Sequence, residues 1–275
     1  MSFALHGVSV RFPSASASGA HALSGLTLSI AQGEQVALIG PSGAGKTTLL
    51  HTLACAHQPD AGSLRTFGAD PWRLGSAARH ALRCRLFLAP QTPPLPPRQR
   101  VVTAVLAGLL PQWSTWRAIA SLVKPADPQA AFAALAQFNL QDKLYARVDH
   151  LSGGERQRCG MARLLVSNAQ AFLVDEPLSA LDPALALQTL AVLQQEATAR
   201  RATLVCSLHQ VELARRHFPR IIGLRDGKVA FDAPRAAVSD AMIAALYRNA
   251  QNAEIPATTE TGTAPMQQAI GPRCF

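Results

Sequence analysis

The chain has 275 residues, 48% of them hydrophobic, and a formal net charge of +9. Such a length can bury a substantial core, as one large domain or as one domain with an inserted subdomain. The longest nearly apolar run, residues 101–110, is interrupted by Thr103 and ends at Pro111, well short of the roughly 20 residues that a bilayer crossing needs. No membrane span is expected.

The start, Met1-Ser2-Phe3-Ala4-Leu5-His6, lacks a basic region followed by an apolar stretch, so no secretory signal is read and a cytosolic location is expected. Cys55, Cys84, Cys159, Cys206 and Cys274 are an odd number without a C-x-x-C pair, which argues against a disulfide framework and a zinc site. Cys206 sits in an apolar run and reads as a small core side chain. The basic excess is spread along the chain, which fits a solvated surface near anionic headgroups better than a nucleic-acid groove.

Residues 3–12, 23–30 and 62–67 carry short alternating or β-favouring patterns separated by Gly, Pro and Ser, and predict an antiparallel sheet. Residues 13–20 read as a flexible loop. Residues 36–39, 171–174 and 203–206 are unbroken apolar runs, the mark of strands buried on both faces of a parallel sheet.

The first of these runs leads into Gly40-Pro41-Ser42-Gly43-Ala44-Gly45-Lys46-Thr47, which fits G-x-x-x-x-G-K-[ST] and precedes a helix carrying Leu49, Leu50 and Leu53. The glycines let backbone N–H groups curl toward phosphate oxygens. Lys46 supplies a point charge to the β and γ phosphates, and Thr47 offers a hydroxyl to Mg²⁺. Thr48 is expected to join these phosphate contacts. The implied ligands are ATP and Mg²⁺. Phe12 either stacks on the adenine or belongs to the core.

Gln91 closes Leu86-Phe87-Leu88-Ala89-Pro90, where a core strand enters an Ala- and Leu-rich region. Its amide can meet Mg²⁺ or water and report nucleotide state to that region. Between Gln91 and Asp149 the composition predicts helices, notably over 101–110 and 128–138, as an inserted helical subdomain of about residues 91–150. Trp113 and Trp116, three apart, are expected on one helical face, either docking a partner or forming a core stripe.

Leu151-Ser152-Gly153-Gly154-Glu155 follows, between the phosphate loop and the strand ending Val174-Asp175-Glu176. A phosphate loop says only that a nucleotide binds, whereas Ser152, Gly153 and Gly154 can meet the terminal phosphate of an ATP held by a second copy. Asp175 ends an apolar strand, where an unpaired carboxylate is costly, so a metal ion with its waters is the natural partner. Glu176 is the candidate for polarising the attacking water. His209, at the end of the next buried strand, is placed at the same sheet edge to contact the γ-phosphate. The segment 221–231 holds the Asp226-Gly227 turn of a hairpin, and residues 238–247 read as an amphipathic helix. Residues from 251 onward are poor in hydrophobics and predict a disordered tail.

The ordered set of residues 40–47, Gln91, 151–155, Asp175-Glu176, Ser179-Ala180-Leu181-Asp182 and His209 resembles the nucleotide-binding subunit of ABC transporters over about residues 3–248. The resemblance implies an α/β fold: a P-loop NTPase core with a mainly parallel sheet, an N-terminal antiparallel β subdomain and the inserted α-helical subdomain. These would occupy residues 1–248, with 249–275 as tail. It also implies a head-to-tail ATP sandwich in which Ser152 and Gly154 of one copy face the γ-phosphate held by the other, while Asp182 crosses the seam.

Tyr145-Ala146-Arg147-Val148-Asp149-His150, Leu208-His209-Gln210-Val211-Glu212-Leu213-Ala214, Arg220-Ile221-Ile222-Gly223-Leu224 and Phe231-Asp232 are similar to the phosphonate-import ATP-binding subfamily. That likeness implies an importer of phosphonate or a related phosphorus oxyanion, with a membrane permease, a periplasmic binding protein and a place at the cytoplasmic face of the inner membrane. Other readings are an ABC ATPase for another solute, or a soluble one acting on nucleic acid or ribosomes. Thr92-Pro93-Pro94-Leu95-Pro96-Pro97 departs from the subfamily pattern, because its prolines stiffen the segment after Gln91 toward polyproline geometry. An unusual partner is therefore an expectation as well.

Overall fold

The computed structural model describes residues 1–11 and 21–248. The expectations for Phe12, the loop 13–20 and the tail 249–275 fall outside these residues. In chain order the strands are β1 (Phe3–Arg11), β2 (His21–Ile30), β3 (Gln35–Ile39), β4 (Ala61–Thr66), β5 (Leu86–Ala89), β6 (Ala171–Asp175), β7 (Thr203–Ser207), β8 (Arg220–Arg225) and β9 (Lys228–Pro234). The α-helices are α1 (Lys46–Leu53), α2 (Ser76–Arg83), α3 (Val101–Leu106), α4 (Thr115–Val123), α5 (Pro128–Ala136), α6 (Gly153–Val166), α7 (Pro183–Arg200), α8 (Val211–His217) and α9 (Asp240–Tyr247).

Strands β2, β1 and β4 pair antiparallel in that order, as their alternating patterns predict. The second sheet runs β5-β6-β7-β3-β8-β9, parallel from β5 to β8, with β9 returning antiparallel. Asp226 and Gly227, both with positive φ (50° and 72°), make the β8–β9 turn, as a two-residue hairpin demands.

The apolar runs are explained by the two cores that the larger sheet feeds. Phe172 and Val174 of β6, with Leu204 and Cys206 of β7, join the cluster containing Val101, Leu135 and Leu190. Leu173 and Val205 face the other way, into the cluster of Phe3, Leu38 and Leu50. Successive side chains of a strand point to opposite faces, so a strand covered on both sides must be apolar throughout. Each such fully buried side chain contributes about 1.5–3 kcal/mol.

The helical region holds α3, α4 and α5 between β5 and β6. The run expected as a helix over 101–110 is α-helical only to Leu106, then tightens to a 3₁₀ turn over Ala107–Gln112 that contains Pro111. Gly108 makes that turn fit: a Cβ there would lie 2.2 Å from the Arg163 carbonyl oxygen. Helix α5 starts at Pro128 with Asp127 as its N-cap, accepting from the Ala130 N–H at 3.0 Å. Trp113 and Trp116 do not share a helical face. Trp113 precedes the Ser114 cap in extended backbone, half-buried beneath Arg117, whereas Trp116 on α4 is 82% exposed. The Ser114 cap separates them, because the helix begins only after it.

Candidate functional site

Parallel strands align their C-terminal ends, and four loops therefore leave one edge of the sheet side by side. The order β5-β6-β7-β3 brings Gln91, Glu176, His209 and Lys46 into a single row from distant parts of the sequence. The register pairs Asp175 with Ser207 and Leu38 with Ser207 across that edge. A cleft of about 330 Å³ opens there, lined by residues 42–48, Gln91, Glu176 and His209.

The phosphate loop takes its shape from glycines that no other residue could replace. Gly40 has φ 151° and Gly45 has φ 99°. A Cβ at Gly40 would lie 2.1 Å from the Leu224 carbonyl oxygen, and one at Gly45 would lie 2.5 Å from that of Ala22. Both backbone conformation and space thus exclude a side chain. Gly45 is also the N-cap of α1, whose first turn carries no acidic residue. The helix N-terminus accordingly presents N–H groups and a positive dipole end to the cleft.

Lys46 is 5% exposed, and its Nζ donates to the carbonyls of Gly40 at 2.8 Å and Pro41 at 3.2 Å. Burial pushes its ammonium below the usual lysine range, opposed by the nearby charges of Glu176 and Asp175. Thr47 Oγ1 donates to Asp175 Oδ2 at 2.8 Å, so two of the three residues expected at Mg²⁺ meet directly, while the third, Gln91, bonds to Glu176. Asp175 is 3% exposed and takes a second hydrogen bond on Oδ1, from Ser207 Oγ at 2.6 Å.

Glu176 sits between two expected partners. Gln91 Nε2 donates to Oε2 at 2.7 Å, and His209 Nε2 lies 2.5 Å from Oε1. Its backbone is left-handed, φ 49°, a conformation that costs a residue with a Cβ about 1–2 kcal/mol. Two contacts hold it there: its N–H donates to Ser207 Oγ at 2.9 Å, and its carbonyl accepts from Gln157 Nε2 at 2.8 Å.

Ser207 and Gln157 escaped the sequence reading. Ser207 is the last residue of an apolar strand, and that position beside Asp175 was the available signal. Gln157 lies in the helix after the signature, 3% exposed, with its Oε1 accepting from the Ala180 N–H at 3.1 Å. A buried amide in a helix is the sort of signal that only its partners make specific.

Ser152, Gly153 and Gly154 do not line the cleft with the phosphate loop. Ser152 caps α6 in a reciprocal box with Glu155: its N–H donates to Glu155 Oε2 at 2.8 Å, and its Oγ accepts from the Glu155 N–H at 3.2 Å. Asp182 caps α7, its Oδ1 accepting from Ala184 and Leu185 at 3.1 and 3.0 Å. Both caps are exposed on the single chain.

A family model described as "ABC transporter" matches residues 23–179. The phosphonates import ATP-binding protein PhnC of Polaromonas sp. is 58% identical over 247 residues, covering 90% of this chain and 89% of that protein. A PhnC 2 protein of Pseudomonas aeruginosa is 54% identical over 251 residues, covering 91% and 92%. Among solved structures, a dimeric ATP-binding cassette in a post-hydrolysis state with ADP and Pi aligns at TM-score 0.73 and 25% identity, over 85% of this chain and 98% of the other.

Proposed function

This chain belongs to the ABC transporter family, and from that premise we propose that it is the ATP-hydrolysing subunit of an importer for phosphonate or a related phosphorus oxyanion. The chemistry rests chiefly on Glu176, a carboxylate held by Gln91 and His209 beside the phosphate loop. The transported class rests on the relatives, since this subunit's site is built for nucleotide and not for cargo.

The residues divide the work of phosphoryl transfer. The loop N–H groups, the α1 N-terminus and Lys46 bind the β and γ phosphates, which offer Lys46 stronger acceptors than its two carbonyls. Thr47 and Asp175, with Gln91, would hold Mg²⁺. Their donors are a hydroxyl, a carboxylate and an amide oxygen, the hard oxygens that this ion prefers, and when bound it neutralises charge on the phosphate oxygens. Glu176 orients a water in line with the γ-phosphorus and takes its proton as the new P–O bond forms. The bond to the bridging oxygen breaks and ADP leaves. His209 holds Glu176 and the γ-phosphate in register.

The site would be completed by a second copy, whose Ser152, Gly153 and Gly154 meet the γ-phosphate and whose Asp182 lies at the seam. No helix among the described residues is long and apolar enough to cross a membrane. Import would run through a separate permease. The subunit would sit on it at the cytoplasmic face of the inner membrane, with a periplasmic binding protein delivering cargo on the far side. Uptake of labelled phosphonate by cells with and without this subunit is the test. Loss of uptake without it is expected; unchanged uptake overturns the cargo assignment and leaves the ATPase chemistry standing.

A further inference from the structure

The proline-rich segment after Gln91 is held by the signature helix at two points. Gly160, buried in the middle of α6, lies directly under Pro93: a Cβ on Gly160 would stand 2.7 Å from Pro93 Cγ and 2.8 Å from its Cβ. One turn further along α6, Arg163 Nη1 reaches the Pro94 carbonyl at 3.4 Å. One turn earlier, Gln157 grips the carbonyl of Glu176 at 2.8 Å. Residues three apart are neighbours on a helix surface. Helix α6 therefore touches both the backbone of Glu176 and the segment that carries the amide donating to Glu176.

That segment transmits position because it cannot bend freely. Proline fixes φ at positions 93 and 94, and the helical region is disfavoured for Thr92 before them. The Leu95 N–H donates to the Pro93 carbonyl at 2.8 Å and closes the turn beyond. A displacement at Pro93 is thus passed back to Gln91, two residues away, and is not absorbed between them.

We infer that Pro93, seated on Gly160, is a positioning residue through which the signature helix holds Gln91 on Glu176. Movement of α6, whose N-terminus carries Ser152, would then carry Gln91 with it. Closing or opening of the signature against nucleotide would set the geometry at Glu176 within the same chain. The inference rests on the reading of Gln91 and Glu176 as hydrolytic partners.

The test is steady-state ATP hydrolysis with Mg²⁺ by the full chain, on Gly160→Ala, Gln91→Ala and the double variant. Because ATP is bound by the phosphate loop, Gly160→Ala is expected to lower kcat about tenfold or more with KM for ATP nearly unchanged, as small misplacements do. Added to Gln91→Ala, it should cost nothing further. Pro93→Gly removes the same contact from the loop side and should give the same split and the same non-additivity, which carries the test if Gly160→Ala fails to fold. Normal kcat in the Gly160 and Pro93 variants, or losses that multiply with Gln91→Ala, overturns the inference. Full activity of Gln91→Ala alone instead sinks the reading of Gln91 on which it stands.

Discussion

The phosphate-loop half of the proposed site and its signature half are built to different rules. In the first, Thr47, Asp175, Ser207, Glu176, Gln91 and His209 form one connected network across four strand ends of a single chain, with Lys46 beside it on the loop carbonyls. In the second, Ser152 and Asp182 bond only within the first turns of their own helices. The fold of one chain finishes the first half, and its strained Glu176 can persist because neighbours hold it from every side. The second half is a pair of exposed caps, each holding the first turn of its own helix.

The comparison can be broken most sharply at Glu176. Glu176→Gln should cut ATP turnover by about 10²–10⁴-fold, the span of a lost general base, while leaving ATP binding intact. Light scattering with ATP and Mg²⁺ should find a dimer accumulating. A variant that stays monomeric at high concentration would show that the signature half does not wait for a second copy.

Mixing separates the halves without relying on one variant. Lys46→Ala disables the phosphate loop and Ser152→Ala the signature, so each chain alone should hydrolyse ATP poorly. Mixed in equal amounts, half the dimers of a two-fold sandwich are mixed, each with one intact site, and about a quarter of the normal activity should return. No recovery would mean that both halves act within one chain.

Asp182→Ala sharpens the same division at smaller scale. As a helix cap it should cost about 0.5–2 kcal/mol in urea unfolding of the single chain. Any loss of turnover beyond that should appear only at concentrations where dimers form. The smallest effect concerns the thiols. Burial pushes the Cys159 thiol up to about 12 and that of Cys206 higher still, so both stay protonated as pH rises through 8 and 9. Alkylation at pH 8 should spare them in the native chain and reach them only on unfolding, whereas half-buried Cys84 reacts early.

Much of the nucleotide half was legible because each of its residues ends a recognisable pattern. The phosphate loop follows an apolar run, and so do Asp175, Glu176 and His209, and a buried strand in an α/β chain delivers its C-terminal residue to the functional edge. Gln91 was legible for the same reason. Ser207 was not, because a serine closing a strand acquires meaning only beside Asp175. The seat of Pro93 on Gly160 was hidden as well, since its two members are 67 positions apart. Helix α2 was not read from the sequence either; it is eight residues long and Leu82 is its one buried residue.

Periodicity and local motifs therefore marked the strands of the core, the phosphate loop and the carboxylates that follow an apolar run, since these depend on neighbours within a few positions, whereas the full fold class and the role expected of Asp182 came from the family resemblance. Tertiary structure alone decided the strand order that sets Gln91, Glu176, His209 and Lys46 in one row, the left-handed backbone of Glu176, and the contacts of Gln157 and Pro93 that fix it. Those depend on distances between segments far apart in the chain, which become short only when both faces of the sheet are buried.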